Sequence, residues 1–213
     1  MRYFTLTLLA ALVLGGCQSA YYNTLERFGV HKRDILVDRV EDARDAQEDA
    51  KEQFEDALTQ FRALVKVDGG ELEATYDRLN REYQNSVKRA DEVHERIDAV
   101  ENVAEALFRE WEAELREYES DRLRAQSERQ LDATRQRYQE LIARMRQAEQ
   151  RIDPVLQSFQ DQVLVLKHNL NARAIAALQD EVGTVETDIR ELIEEMEASI
   201  AEANRFLAAF ERQ

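Results

Sequence analysis

Residues 72–111 read LEATYDRLNREYQNSVKRADEVHERIDAVENVAEALFREW. Apolar or small residues recur in this stretch at alternating steps of three and four: Leu72, Tyr76, Leu79, Tyr83, Ser86, Ala90, Val93, Ile97, Val100, Ala104, Leu107 and Trp111. A mean spacing of about 3.5 residues sustained over several heptads is the seam of a long helix packed on other helices. Glu, Arg and Gln fill the positions between and favour helix on a solvated face.

The same period continues on both sides. Upstream it passes through Leu36, Val40, Ala43, Gln47, Ala50, Phe54, Ala57, Phe61 and Leu64. Downstream one series runs from Ser127 and Leu131 through Tyr138, Met145, Ile152 and Phe159 to Leu170. Another runs from Val182 through Ile189, Met196 and Ala203 to Phe210. Off-seam neighbours such as Val87, Leu115, Ile142, Ile193, Ile200 and Leu207 widen the stripe, which favours several packed helices over a two-stranded rod.

Breaks between the seams differ in quality. Asp68-Gly69-Gly70 ends one helix and permits a tight reversal. At Glu119-Ser120-Asp121 the phase weakens, and Ser120 or Asp121 offers a cap for the next helix. Asp153-Pro154 reads either as a helix start or as a kink in a continuing helix. His168-Asn169-Leu170-Asn171 holds two helix-disfavouring Asn, and Gly183 is a further candidate. Periodicity alone does not choose among these last three. Segments 32–66, 71–118, 121–168 and 172–211 have comparable lengths, so antiparallel packing buries every seam. The expected fold is therefore all-α: a long antiparallel helical bundle of four helices, with its third reversal at or near His168–Asn171. A single helix running beyond about 80 residues is the competing architecture.

Composition narrows the function. The 213 residues include 29 Lys or Arg against 44 Asp or Glu, a formal net charge of −15. With 44% hydrophobic residues the chain can bury a core despite that charge. Six Gly and one Pro are too few for a β-sandwich or barrel. The acidic balance argues against nucleic acid as a partner. One Cys excludes an internal disulfide and a thiolate-rich zinc site.

That one Cys has a telling position. Arg2 is followed by a largely apolar run from Thr5 to Leu14, too short to span a membrane and closing in Leu14-Gly15-Gly16-Cys17. This resembles the lipobox of bacterial lipoproteins, in which an apolar residue and two small ones precede the Cys. The resemblance implies a cleaved signal peptide over 1–16, a lipidated tether over 17–31 and a bundle domain over 32–213. It implies diacylglycerol and acyl chains, palmitate among them, on Cys17. Gln18, in place of an Asp, implies the outer membrane, with the protein on its periplasmic face.

Catalytic chemistry is sparse. His31, His94 and His168 lie on different segments; Asp91-x-x-His94 is the nearest approach to a di-iron motif and has no second copy. No strand precedes a Gly-rich loop, and no nucleophile elbow or His-Glu-x-x-His occurs. The expectation is no catalytic, cofactor or metal site and no enzyme. Two stretches stand out from this background. Residues 31–40, HKRDILVDRV, read as a helix start with intrahelical pairs or as a docking strip near the membrane. Residues 162–171, QVLVLKHNLN, are apolar on nearly every helix face, which suits either a central core position or a partner-binding tip. The second reading makes Lys167, His168, Asn169 and Asn171 candidate partner contacts.

Cys17, Tyr21-Tyr22-Asn23, residues 31–40 and Leu166-Lys167-His168-Asn169-Leu170-Asn171-Ala172 together resemble a proteobacterial lipoprotein family known as domain of unknown function 2959. The resemblance covers nearly the whole chain. It implies an envelope lipoprotein and supplies no activity, cofactor or partner. The expected function is a lipid-anchored scaffold or interaction protein with an envelope protein partner. A module binding peptidoglycan or another envelope polymer, and a ligand carrier or enzyme using a bundle-core cavity, are the alternatives.

Overall fold

The computed structural model describes residues 32–64, 72–168 and 172–210. The expected signal peptide and lipidated tether with Cys17, and also Asp68-Gly69-Gly70, Asn169 and Asn171, lie outside the described residues. Four helices make up the described chain: α1 (Lys32–Leu64), α2 (Leu72–Glu114), α3 (Asp121–His168) and α4 (Ala172–Phe210). α1 packs on α2 and α4, and α3 packs on α2 and α4, so α1 and α3 sit on opposite corners.

Cross-helix pairs set the directions. On α1 and α2, Asp42 meets Arg96 at 3.7 Å, Asp49 meets Arg89 at 3.0 Å, and Gln53 donates to Glu82 at 2.8 Å. One number rises as the other falls, so these helices are antiparallel. Glu112–Arg135 and Glu101–Arg146 set the same sense for α2 and α3. Arg151–Glu191 and Gln147–Glu195 set it for α3 and α4, and Gln47–Ser199 with Arg62–Glu186 for α4 and α1. The architecture is an up-and-down four-helix bundle. Its longest helix, α3, has 48 residues and spans about 70 Å.

The seams form the core. Leu36, Phe54, Ile97, Leu141, Met145, Ile152, Leu192 and Met196 are among the residues with no exposed surface. Tyr76, Tyr83, Trp111, Tyr138, Leu156 and Val182 are half-buried at the core's edge. Size is graded along the axis. Ala43, Ala50, Ala90, Ala148 and Ala203 narrow the middle, while Phe54, Phe61 and Phe159 fill one end and Phe108, Phe206 and Phe210 the other.

Local chemistry explains the ends and the breaks. The backbone N–H of Leu123 donates to the Ser120 hydroxyl at 3.4 Å, so Ser120 caps α3, and Asp121 in the first turn suits its dipole. α2 stops at Glu114, short of the expected residue 118. Arg116 and Glu117 switch to bonds with carbonyls three residues back, tightening the last turn. Pro154 lies inside α3 and is exposed, so the helix continues through it. Gln150, whose carbonyl loses its helical donor to the Pro ring, is exposed to water. Gly183 lies inside α4, and the chain reverses between His168 and Ala172 as expected.

Candidate functional site

Polar structure gathers in three places. The first is a groove of about 500 Å³ between α2 and α3, lined in part by Glu101, Glu105, Phe108, Glu112, Arg135 and Tyr138. The Phe108 and Tyr138 rings meet edge to face at 5.4 Å, and the Arg135 guanidinium lies 5.1 Å above Phe108. Arg135 also donates to Glu112 at 2.6 Å. Burial first, then the Glu101 and Glu105 carboxylates, push the Tyr138 hydroxyl up to about 12, while Arg146 pulls the other way. Tyr138 therefore stays protonated at neutral pH and presents a donor to the groove.

Below the groove Arg146 forms a hub. It donates to Asp98 at 2.6 Å, to Glu149 at 2.7 Å and to Glu101. Those bonds, Glu101's first, hold its pKa above the already high value of arginine against the opposing effect of partial burial. His94 lies 3.9 Å from Glu149 on the rim of this hub. Among the described residues no group of three or more His, Cys, Asp or Glu is arranged to hold a metal ion.

The second place is inside the bundle's waist. The Ser199 hydroxyl donates to the Gln47 carbonyl oxygen at 2.8 Å, and both residues are fully buried. The Gln47 Nε2 has no hydrogen-bond partner among the described residues. Such a group disfavours alternative registers, in which it would meet only apolar neighbours.

The third is the end where α1 begins and α4 finishes. Lys32, only 6% exposed, pairs with Glu110 at 3.0 Å. Arg33 donates to the Phe210 carbonyl at 3.4 Å and lies over its ring at 5.1 Å. Residues 32–40 thus form a helix start docked on α2 and α4, with Ile35, Leu36 and Val40 buried, and Arg39 pairs with Asp42 within the helix. Beyond this level the α2–α3 hairpin projects further. Trp111 Nε1 donates to Ser127 at 2.8 Å, and residues 112–126 are nearly all exposed.

Of the candidate partner contacts, Lys167 and His168 fall at the opposite end. Lys167 is exposed, and His168 is the last residue of α3. The apolar run before them is not buried all round. Val163 and Leu166 are buried, whereas Leu164 is 42% exposed, because near the bundle's end α3 contacts neighbours on one side only. Sequence periodicity also passed over Arg135 and Arg146. Their signal was present as arginines beside a seam, but their partners sit on another helix.

The fold and its polar surface define a long up-and-down four-helix bundle with a charged groove on one flank. The chain belongs to the family described as protein of unknown function (DUF2959), whose model matches residues 21–210. No curated protein is significantly similar to it.

Proposed function

We propose that this protein is a lipid-anchored helical scaffold of the bacterial envelope, without catalytic activity. It is acylated on Cys17 and held on the periplasmic face of the outer membrane. The observation that carries this reading is positional: the chain's one Cys directly follows Leu14-Gly15-Gly16. About fifteen residues then separate it from the buried Lys32 at the start of α1. Several acyl chains on one Cys anchor far more firmly than a single chain. No helix among the described residues is long and apolar enough to cross a membrane.

The geometry supports a spacer. The tether leaves from the end that holds Lys32, Phe210 and the α2–α3 hairpin. The other end, with Lys167 and His168, lies up to about 70 Å away. An envelope protein partner meets that distal end, where Leu164 and Lys167 are exposed. Crosslinking the anchored protein in membranes tests this reading. Partner adducts should form through Lys167 and be lost when Cys17→Ser releases the chain from the membrane fraction. Retention of Cys17→Ser in the membrane fraction would contradict the anchor, and adducts confined to the groove would favour the polymer- or ligand-binding alternatives.

A further inference from the structure

Charge is unevenly divided among the four helices. α3 carries nine Lys or Arg against seven Asp or Glu, and it alone has a basic excess. α1 has six against ten, α2 six against twelve and α4 three against nine. The basic residues of α3 are also ordered. Arg122, Arg129, Arg137, Arg144 and Arg151 are spaced by seven, eight, seven and seven residues, and all five are exposed. On a helix these steps keep the arginines within an arc of about 80° over a length of about 45 Å. Arg122, Arg129 and Arg137 pair with no other described residue.

The opposite corner carries the complement. On α1, Asp38, Asp45 and Glu52 repeat at seven residues, and so do Glu41, Glu48 and Glu55; all six are exposed. Asp38, Glu41, Glu52 and Glu55 pair with no other described residue. α1 and α3 run in the same direction, and their charged rows overlap in height. Arg146 reaches Asp98 on α2, and two residues earlier on α2 Arg96 reaches Asp42 on α1. The level of Arg144 and Arg151 is therefore close to that of Asp38 and Asp45.

We infer that the occupant of the α3 arginine stripe is the α1 acidic face of a second copy of this chain. Two copies standing side by side with the same end at the membrane bring Arg144 and Arg151 beside Asp38 and Asp45 without sliding, while Arg122 and Arg129 stand beyond the start of α1. Because α1 and α3 are on opposite corners, each copy keeps one free face of each kind. The contact is heterologous and propagates as a row instead of closing as a dimer. At physiological ionic strength the Debye length is about 8 Å, so facing rows attract while the rest of the net negative charge is screened. Single exposed pairs are weak; repetition along the rows, and confinement of anchored copies to a surface, raise the effective affinity. The shared orientation rests on the anchored reading; the complementarity of the two faces does not.

The test is crosslinking and sedimentation of the mature chain carrying Cys17→Ser, so that lipid plays no part. At near-physiological salt the chain should give a ladder of crosslinked species that collapses to monomer near molar salt. Reversing the overlapping part of the stripe with Arg144→Glu and Arg151→Glu should lower the yield about tenfold or more. Reversing α1 with Asp38→Lys, Asp45→Lys and Glu52→Lys should do the same. An equimolar mixture of the two variants should restore association, since each supplies the face the other lacks. A monomer at near-physiological salt, association indifferent to both reversals, or failure of the mixture to recover would each overturn the inference. So would binding of the unreversed chain to phosphatidylglycerol vesicles in place of self-association.

Discussion

Arg151 on α3 and Glu191 on α4 form an ion pair at 3.1 Å across 40 residues of sequence. In one continuous helix that separation would be about 60 Å. The pair thus requires the chain to double back between them. Spin labels at the exposed Gln150 and Arg190 should accordingly report a distance of about 10–25 Å. A distribution centred near 60 Å would replace the hairpin with a rod.

The waist makes a second prediction. Ser199→Ala removes the one partner of a fully buried amide, and should destabilise the bundle by about 1–3 kcal/mol. Replacing both residues, as in Gln47→Leu with Ser199→Ala, should recover most of that loss or exceed it. The recovered stability should come with weaker specification of register. Chemical denaturation of the two variants measures the first effect, and the dispersion of amide resonances the second.

Gly183 offers a stabilising change. It lies in the interior of α4, is exposed, and a Cβ built there meets nothing within 4 Å. Gly183→Ala should therefore gain about 0.5–1 kcal/mol by reducing backbone freedom in the unfolded chain. For a chain of this size the Tm should rise by roughly 1–4 °C. The same substitution would lower Tm if residue 183 stood at a turn.

Tyr138 provides a pH signature. Its pKa is raised from 10.0 to about 12 in the folded state, so folding favours the protonated phenol. The associated stability is complete below about pH 10 and is lost as pH rises toward 12. Ultraviolet titration should show a tyrosine ionising at about pH 12, and Tyr138→Phe should abolish that late step. Titration of all the tyrosines near the ordinary value would show that the groove is open to water.

Much of the fold was legible because a heptad seam reports burial directly. Leu36 through Phe61, and Leu131 through Leu166, are buried or half-buried at every seam position, since periodicity and packing express the same helix geometry. The turn near His168 was legible from its Asn residues together with the matching segment lengths. Pro154 was ambiguous because its effect depends on whether the freed carbonyl reaches water, a property of the fold and not of the local sequence. The groove was illegible for a related reason. Nothing local to Arg135 or Arg146 reveals that Glu112, Asp98 and Glu101 stand opposite on α2. The burial of Lys32 likewise depends on Glu110, far along the chain.

The most direct test of the account is the mass of the N-terminal peptide of protein taken from membranes. The account predicts a chain that begins at Cys17 and carries diacylglycerol on the thiol and an acyl group on the new amino terminus. Membrane-derived protein with an unmodified Cys17, or with residues 1–16 still attached, would contradict it.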